Sequence, residues 1–429
     1  MPTSDFNHGT RVLRLGDDAR PIEVADQSNI GAVVTAPDAD LSIPRDEPFH
    51  FFTHDTETVA KLGATGTVRD VINLVKAQGI EASIVLSVVE EGADIDATRT
   101  KLMGSAASMT GVHALSYALG HVGKEPDILI CPGFVAGRVD NAKNPVADAL
   151  EQVGDKLMAI SVFDTGGPTK EDSLEYRADF ASRFTYLVDP YVRVLPEGGT
   201  EIVAKPASPV VAGLMVKKDK EKGGVYWSPS NQEAHGVLGI ARPVSFFDGE
   251  IDHEANYLNE NGIATFIPAK VVQQAGGAYS ANGRILWGNR TASLDPLWVF
   301  INVVRTRASI EKSMVRSFRP WANDQNISPQ HVISVMRSTQ NFLDELKAPS
   351  VGAILGGEVF WDREVNTNSS LRLGKLRVDF DAEEAPPLED LIFGSRRNEA
   401  YFNDLATAIN ERIAVSFERT VDDYLSLAA

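Results

Sequence analysis

The residues that could bind a nucleotide phosphate lie in two glycine-containing segments. One is Gly63-Ala64-Thr65-Gly66, and the other is Gly120-His121-Val122-Gly123-Lys124. Neither has the GxGxxG spacing of a dinucleotide loop, and Lys124 precedes Glu125 and Pro126 where a phosphate loop requires Ser or Thr. Both segments therefore indicate turn glycines rather than a nucleotide site.

A third candidate for ligand binding is Asp164-Thr165-Gly166-Gly167-Pro168, which follows a predicted strand. Loops at the ends of parallel strands are where α/β folds place ligands. No helix cap follows the segment at once, and no partner residue can be identified for it. An α/β enzyme with an unidentified ligand site stays open as the alternative function.

Metal and nucleophile chemistry has little support in the sequence. His50 and His54 are four residues apart, but the segment Pro48–Phe52 reads as extended, so helical ligand spacing does not apply. His253 and Glu254 are not continued as HExxH, and the GxSxG elbow of serine hydrolases is absent. The single cysteine, Cys131, follows an apolar run and predicts a small buried side chain. We therefore predict no catalytic residue, no cofactor and no metal.

The charge of the chain limits its partners. A length of 429 residues suggests two or three domains, and the formal net charge is −18. This charge argues against binding to nucleic acid or to an anionic membrane surface. Copies of the chain repel one another, so any assembly needs local basic patches or backbone pairing. No apolar run of about 18 residues and no signal peptide is apparent, and we expect folding in a cytosol.

Residues 22–272 alternate apolar runs with helical spacings, which predicts an α/β fold with a mostly parallel sheet covered by helices. The strand candidates are 30–35, 82–89, 127–131, 157–163, 185–188 and 263–267. The helix candidates are 67–78, 106–119, 146–153 and 173–184. Residues 206–224 contain Pro, Gly and a lysine-rich charge run, and predict a loop.

After Gly283 the pattern changes to strands and two long helices. The β-forming residues Leu297–Val304 predict a strand, followed by a helix from Thr306 that Pro320 ends. Ser328 and Pro329 predict the start of a second helix, which continues to about Leu346. Further strands are expected near 353–361 and 375–380.

Each end of the chain contains a short segment with strand-like alternation. At the N-terminus it comprises Val12, Leu13 and Leu15, and near the C-terminus it comprises Ile413, Val415 and Phe417. Strands outside a compact core suit addition to the sheet of another chain, because main-chain hydrogen bonds form without side-chain recognition. The alternative is that both tails are frayed.

Several sequence blocks occur in the order found in contractile phage tail sheath proteins. In the second half these are Trp287-Gly288-Asn289-Arg290-Thr291, Phe300–Arg305, Ile310–Ser313, and Pro386–Glu389 with Leu391. Earlier blocks are His8-Gly9, Arg20–Ile22, Thr35–Asp40, Tyr226–Asn231, Gly236–Gly239 and Asn256–Asn259. The chain resembles this family, which includes the sheaths of myophages and R-type pyocins, although the segment after Ile409 departs from it.

The resemblance implies a structural protein of the virion tail, assembled in the host cytoplasm without a cofactor. Such subunits form stacked hexameric rings around an inner tail tube and contract to drive the tube through the host envelope. The implied partners are other copies of the chain, the tube protein, and baseplate and tail terminator proteins. The implied organisation is an N-terminal arm (1–20), an outer α/β domain (21–282), an inner α+β sheath domain (283–397) and a C-terminal arm (398–429).

The helix that begins near Arg305 is basic within this acidic chain. Spacings of seven, four and three place Arg305, Lys312, Arg316 and Arg319 on one face. In a sheath, this face would contact an acidic tube surface through exposed, salt-sensitive interactions. The alternative is a solvated face, or pairing with acidic side chains of the same chain.

Overall fold

The computed structural model describes residues 20–24, 27–270 and 279–426. Its strands are β1 (Asn29–Thr35), β2 (Pro48–Phe52), β3 (Ser83–Val89), β4 (Ile128–Ile130), β5 (Ile160–Asp164), β6 (Thr185–Val188), β7 (Val192–Val194), β8 (Val203–Lys205), β9 (Gln232–Glu233), β10 (Val237–Ile240), β11 (Ile263–Lys270), β12 (Tyr279–Trp287), β13 (Ile354–Gly356), β14 (Val359–Phe360), β15 (Asp379–Phe380) and β16 (Glu383–Glu384).

The α-helices of the described residues are α1 (Thr56–Lys61), α2 (Val68–Lys76), α3 (Ile95–Met103), α4 (Ala118–Val122), α5 (Pro145–Leu157), α6 (Lys170–Arg177), α7 (Ser208–Lys222), α8 (Glu254–Glu260), α9 (Ile301–Phe318), α10 (Pro329–Lys347), α11 (Asn368–Arg372) and α12 (Ala400–Ser426). Two 3-10 helices span Gly111–Tyr117 and Pro296–Trp298.

Nine strands form the main sheet in the order β2-β3-β1-β4-β5-β6-β11-β12-β9. The six strands from β3 to β11 are parallel, while β2, β12 and β9 run antiparallel to their neighbours. A smaller antiparallel sheet has the order β10-β7-β8. The predicted α/β class with a mostly parallel sheet is confirmed.

Both faces of the main sheet are covered, as continuous apolar strands predict. In β1, Ile30, Ala32 and Val34 join a core with residues of α2 and α7. Val33 of the same strand joins a second core with residues of α3, α5 and the 3-10 helix Gly111–Tyr117. Alternate residues of one strand thus support two helical layers.

The segment predicted as a loop at 206–224 is helix α7, so that prediction is wrong. Pro209 stands in the first turn, where its missing N–H costs no helical hydrogen bond. Val210, Val211, Leu214 and Met215 are fully buried against the sheet. The lysine-rich run that suggested a loop is the C-terminal half of the helix.

The strand predicted at Leu297–Val304 is also wrong. Pro296–Trp298 is a 3-10 helix capped by Asp295, and α9 begins at Ile301. Ile301 and Val304 are buried in the core from within the helix. Burial therefore overrides the strand preference of β-branched residues, since tertiary packing outweighs propensity.

Helices α9 and α10 form a third core with β13. It contains Ile310 from α9, Phe342 and Leu343 from α10, and Ile354 from β13. Beside it, β13 pairs with β16, and β14 pairs with β15, as separate two-stranded antiparallel sheets. The start of α10, with the Ser328 hydroxyl accepting a hydrogen bond from the His331 N–H, is as predicted.

The chain divides into two compact units, at residues 1–387 and 388–429. The boundary predicted between residues 282 and 283 falls inside β12, which pairs with β11 and β9. Within the second unit, residues 400–426 form α12. The segment predicted as a strand at Ile413, Val415 and Phe417 is therefore helical, because the apolar spacing of 402, 405 and 409 continues through 413. Val12, Leu13 and Leu15 lie outside the described residues.

We predict that Gly213→Ala destabilises the subunit by about 1–3 kcal/mol through overpacking. A Cβ at this position in α7 would lie 2.8 Å from Cγ of Gln78 and 3.3 Å from Cα of Val75. Gln78 cannot move away freely, because it is buried and its amide exchanges hydrogen bonds with the backbone of His235.

Urea unfolding measures this effect. The matched control is Gly120→Ala in α4, where a Cβ meets nothing within 4 Å. That change is expected to be neutral or to stabilise by up to about 1 kcal/mol. Equal unfolding free energies for the two variants would contradict the proposed close approach of α7 to α2.

Candidate functional site: the charged helix α9

Arg305 of α9 forms a buried ion pair. Its Nη1 lies 2.9 Å from Oδ1 of Asp219 and its Nη2 lies 2.6 Å from Oδ2, a bidentate pair with the C-terminal half of α7. The two side chains are only 5% and 3% exposed. Burial raises the pKa of Asp219, and Arg305 and the Ser28 hydroxyl oppose that shift. The pair therefore fixes α9 against α7 inside the protein.

A second charged group lies two turns further along α9. Lys312 Nζ is 2.8 Å from Oδ1 of Asp127 and 3.1 Å from Oε1 of Glu125. Arg316 Nη2 is 3.2 Å from the same Glu125 oxygen. Burial raises the pKa of Asp127, and Lys312 opposes that shift. This group connects α9 to the entrance of β4, near the middle of the main sheet.

These contacts correct the predicted partner of the basic face. Arg305, Lys312 and Arg316 share one face, as their spacing indicates, but Arg305 and Lys312 are buried and cannot make exposed contacts with a tube. The alternative, pairing with acidic side chains of the same chain, is what the structure has. Arg316 is one-third exposed, and Arg319, just after α9, is exposed.

The ligand-loop candidate at Asp164–Pro168 is bonded within the protein. The Asp164 carboxylate accepts hydrogen bonds from the Ala207 N–H at 2.5 Å, the Ser208 N–H at 2.9 Å and the Ser208 hydroxyl at 2.5 Å. Burial raises the pKa of Asp164 to about 6, against the effect of these hydrogen bonds. The segment therefore anchors the N-terminus of α7.

The next residue of that segment, Thr165, is bonded in the same way. Its hydroxyl donates to Asp189 at 2.5 Å, and Ser173 donates to the same carboxylate oxygen at 2.8 Å. Asp189 also pairs with Arg242. These contacts form a buried structural network rather than an open ligand site.

The two glycine-containing segments behave as turns. Gly66 and Gly123 both have positive φ, of 77° and 71°. Gly66 borders a cleft of about 540 Å³, but the cations there are paired, Lys205 with Asp70 at 2.8 Å and Arg69 with Glu197 at 3.1 Å. The cleft therefore presents neutralised charge to solvent.

The remaining candidates for chemistry are structural. Cys131 is fully buried, and burial raises the pKa of its thiol. His50 lies in β2, as the extended reading requires, 3.0 Å from the Ser83 hydroxyl. Within residues 20–24, 27–270 and 279–426, no group of three His, Cys, Asp or Glu side chains could hold a metal ion. Over the same residues, every helix is too short or too polar to cross a membrane.

Two groups of exposed apolar residues, one in each compact unit, were missed by the sequence reasoning. In the first unit, Leu355 of β13, Phe360 of β14 and Leu373 at the end of α11 are exposed. Residues 388–393 have no regular secondary structure, and Leu388, Leu391, Ile392 and Phe393 are all more than 60% exposed. The sequence signal for this exposure was the apolar run Leu391-Ile392-Phe393. It follows an acidic, proline-containing stretch, and no neighbouring segment is available to pair with it as a strand.

We predict that Arg305→Met destabilises the subunit by about 3–5 kcal/mol, because Asp219 would stay buried without a cation. Chemical denaturation followed by circular dichroism measures this free energy. The matched control is Arg319→Met, an exposed arginine one residue past the same helix, which should change stability by less than about 0.5 kcal/mol. A neutral Arg305→Met variant would show that the pair does not fix α9.

Comparison with known proteins identifies relatives along nearly the whole chain. Residues 107–274 match the family model described as the phage tail sheath protein central domain. A putative prophage major tail sheath protein of Pseudomonas aeruginosa (strain UCBPP-PA14) is 31% identical over 390 residues, which cover 90% of this chain and 95% of the relative. The tail sheath protein of Escherichia phage P2 is 28% identical over 417 residues, covering 95% and 99%.

Solved structures share the fold at lower identity. The helical sheath of the anti-feeding prophage in its contracted state has a TM-score of 0.66 and 18% identity, with 92% of this chain and all of that chain covered. The sheath complex of an extracellular contractile injection system, PVC, in its contracted state has a TM-score of 0.63 and 16% identity, covering 92% and 99%. The α/β enzyme alternative has no support among these relatives. The chain belongs to the phage tail sheath protein family, and it is a structural subunit of a contractile sheath.

Proposed function

We propose that this subunit assembles into stacked hexameric rings around an inner tail tube, and that the stack contracts to drive the tube through a host envelope. The observation that carries the proposal is the 31% identity to a prophage tail sheath protein across 90% of the chain. The virion tail is the proposed location, the host cytoplasm the place of assembly, and baseplate and terminator proteins the partners at the two ends.

The distribution of charge supports a lattice built by the C-terminal half. Residues 283–397 contain fifteen basic and fourteen acidic side chains, so this segment is close to neutral and the negative charge of the chain lies outside it. A neutral region can contact other copies without the repulsion that acidic surfaces would meet. We therefore place residues 283–397 on the inside of the sheath and the acidic α/β portion on the outside.

Open strand edges provide the proposed links between subunits. The pairs β13–β16 and β14–β15 are each only two strands wide, and such sheets gain stability from a third strand. We propose that the arm with Val12, Leu13 and Leu15 adds a strand to an edge of this kind in another copy. Backbone pairing of this type can persist while the bodies of the subunits rotate.

For the C-terminal arm, the structure supports a different segment from the one predicted. Residues 388–393 precede α12, lack regular secondary structure and expose four large apolar side chains. We propose that these residues form the strand that joins a neighbouring copy. In this proposal Ile413, Val415 and Phe417 stay in a helix and are not part of that strand.

Contraction in this scheme needs no cofactor. Subunits assembled in an extended lattice release free energy as they repack with more buried interface. A change of a few kcal/mol per subunit is enough, because many copies move in sequence. Of the predicted tube-facing cations, Arg319 and the partly exposed Arg316 stay available for contact with an acidic tube.

We predict that deletion of residues 1–20 gives a folded subunit that does not polymerise. The arm is proposed to link copies rather than to complete the fold of its own subunit, so thermal unfolding should match that of the full chain, while the lattice would lose its strand links. Negative-stain microscopy of the purified proteins should show striated cylinders or ring stacks for the full chain and single particles for the truncation.

The matched control is deletion of residues 1–7, which leaves Arg11–Leu15 in place and should still polymerise. Ordered sheaths from the 1–20 deletion would refute the arm model. Discrete particles from the full chain under all assembly conditions would count against the proposed function itself.

A further inference from the structure

The segment that leads to the C-terminal unit is anchored by two side chains of α9. Arg307 Nε donates to Oε1 of Glu384 at 2.6 Å, and its Nη2 donates to the Ala382 carbonyl at 2.6 Å. Asn302 Nδ2 donates to the Ala385 carbonyl at 2.9 Å. Three of the four residues from 382 to 385 are therefore held by α9, directly before Pro386 and Pro387.

These anchors are largely buried, with the Arg307 side chain the most accessible at 19% exposed. Asn302 is 4% exposed, and the Glu384 side chain is 5% exposed. The Arg307 guanidinium carbon also lies 5.7 Å from the ring centre of Trp298 and 5.9 Å from that of Phe380. Hydrogen bonds with a charged donor in such surroundings are stronger than exposed ones, and the stacked rings restrict where the guanidinium can move.

Two other side chains of α9, Arg305 and Lys312, anchor the helix to the α/β body. At 3.6 residues per turn, Arg307 projects about 160° away from Arg305 around the helix axis. Arg305 pairs with Asp219 of α7, and Lys312 pairs with Asp127 at β4. A single helix is thus bonded to residues 382–385 through Arg307 and Asn302 and to the α/β body through Arg305 and Lys312.

We propose that α9 carries mechanical load between the C-terminal arm and the α/β body, with Asn302 and Arg307 as the positioning residues that hold residues 382–385, the segment from which the chain continues to the arm. This inference rests on the proposed function, because the load arises when the arm is joined to another copy. Pull on the arm reaches residues 382–385 through the covalent chain. It then passes to α9 and, through the buried ion pairs, to α7 and the sheet.

The alternative path for load is the short ladder between β13 and β16. That ladder joins only Ile354 with Glu384 and Gly356 with Glu383, with a register shift between them. One more backbone bond, from the Ala385 N–H to the Ala353 carbonyl at 3.1 Å, extends it. So few backbone bonds would open locally unless the side chains of α9 held the same segment.

The test uses the full chain with Arg307→Gln and Asn302→Ala, separately. The control is Arg377→Gln, an exposed arginine from the same region that pairs with Asp379 at 2.7 Å. In the unassembled subunit, amide hydrogen exchange at residues 381–385 should be at least tenfold faster in both test variants, with exchange in β1 and β3 unchanged. Assembled sheaths are then sheared by controlled sonication, and sheath lengths are measured by electron microscopy.

We expect sheaths of the two test variants to break into pieces several times shorter than those of the wild type and of Arg377→Gln. Failure of a test variant to assemble, with its thermal unfolding unchanged, is a stronger form of the same result. Sheath lengths equal to those of the wild type in both test variants would overturn the inference. So would global unfolding of Arg307→Gln together with wild-type behaviour of Asn302→Ala. If the wild-type chain formed no sheaths, that result would instead count against the proposed function.

Discussion

The buried ion pairs of α9 are the contacts on which the rest of this structure depends. Arg305 and Lys312 place two cations inside the protein, where each must have an anionic partner or destabilise the fold. Asp219 and Asp127 supply those partners from α7 and from the start of β4. A buried pair gives limited net stability over an apolar equivalent, but moving its two elements apart would leave a charge buried without a partner. The position of α9 is therefore fixed, and with it the position of everything that α9 contacts.

Sheath assembly requires that the links between subunits be firmly attached to each subunit, and a fixed helix can provide that attachment. Like-charged subunits must form a continuous lattice and keep it while their bodies move. In the proposed lattice, backbone pairing by the arms would supply links that are insensitive to side-chain charge, and the near-neutral segment 283–397 would supply a surface for them. A link is only as strong as its attachment to the body. The contacts of Asn302 and Arg307 with residues 382–385 provide such an attachment.

The sequence predicted elements well where local signals and burial agree. Strand β6 matches residues 185–188, and α10 begins at Pro329 after the Ser328 cap, as expected. Predictions failed where tertiary contacts decide the outcome. Ile301 and Val304 favour strands in isolation but lie in a helix because its inner face is buried. Because its C-terminal end is rich in lysine, α7 was predicted as a loop, although its residues from Pro209 to Val216 are apolar.

The candidate site shows the same limit. Helical spacing correctly placed Arg305, Lys312 and Arg316 on one face, but it could not identify their partners. Asp219 is 86 residues from Arg305, and Asp127 is 185 residues from Lys312, so no local pattern connects them. The exposed residues 388–393 were visible only as an apolar run, since exposure is a property of the folded chain.

The most direct test of the central claim is a double-mutant cycle on Arg305 and Asp219. Unfolding free energies would be measured for the wild type, Arg305→Met, Asp219→Leu and the double variant. If the pair fixes α9, the coupling energy should be about 2 kcal/mol or more, with the double variant more stable than either single variant. A coupling energy below about 0.5 kcal/mol would show that α9 is positioned by apolar packing alone.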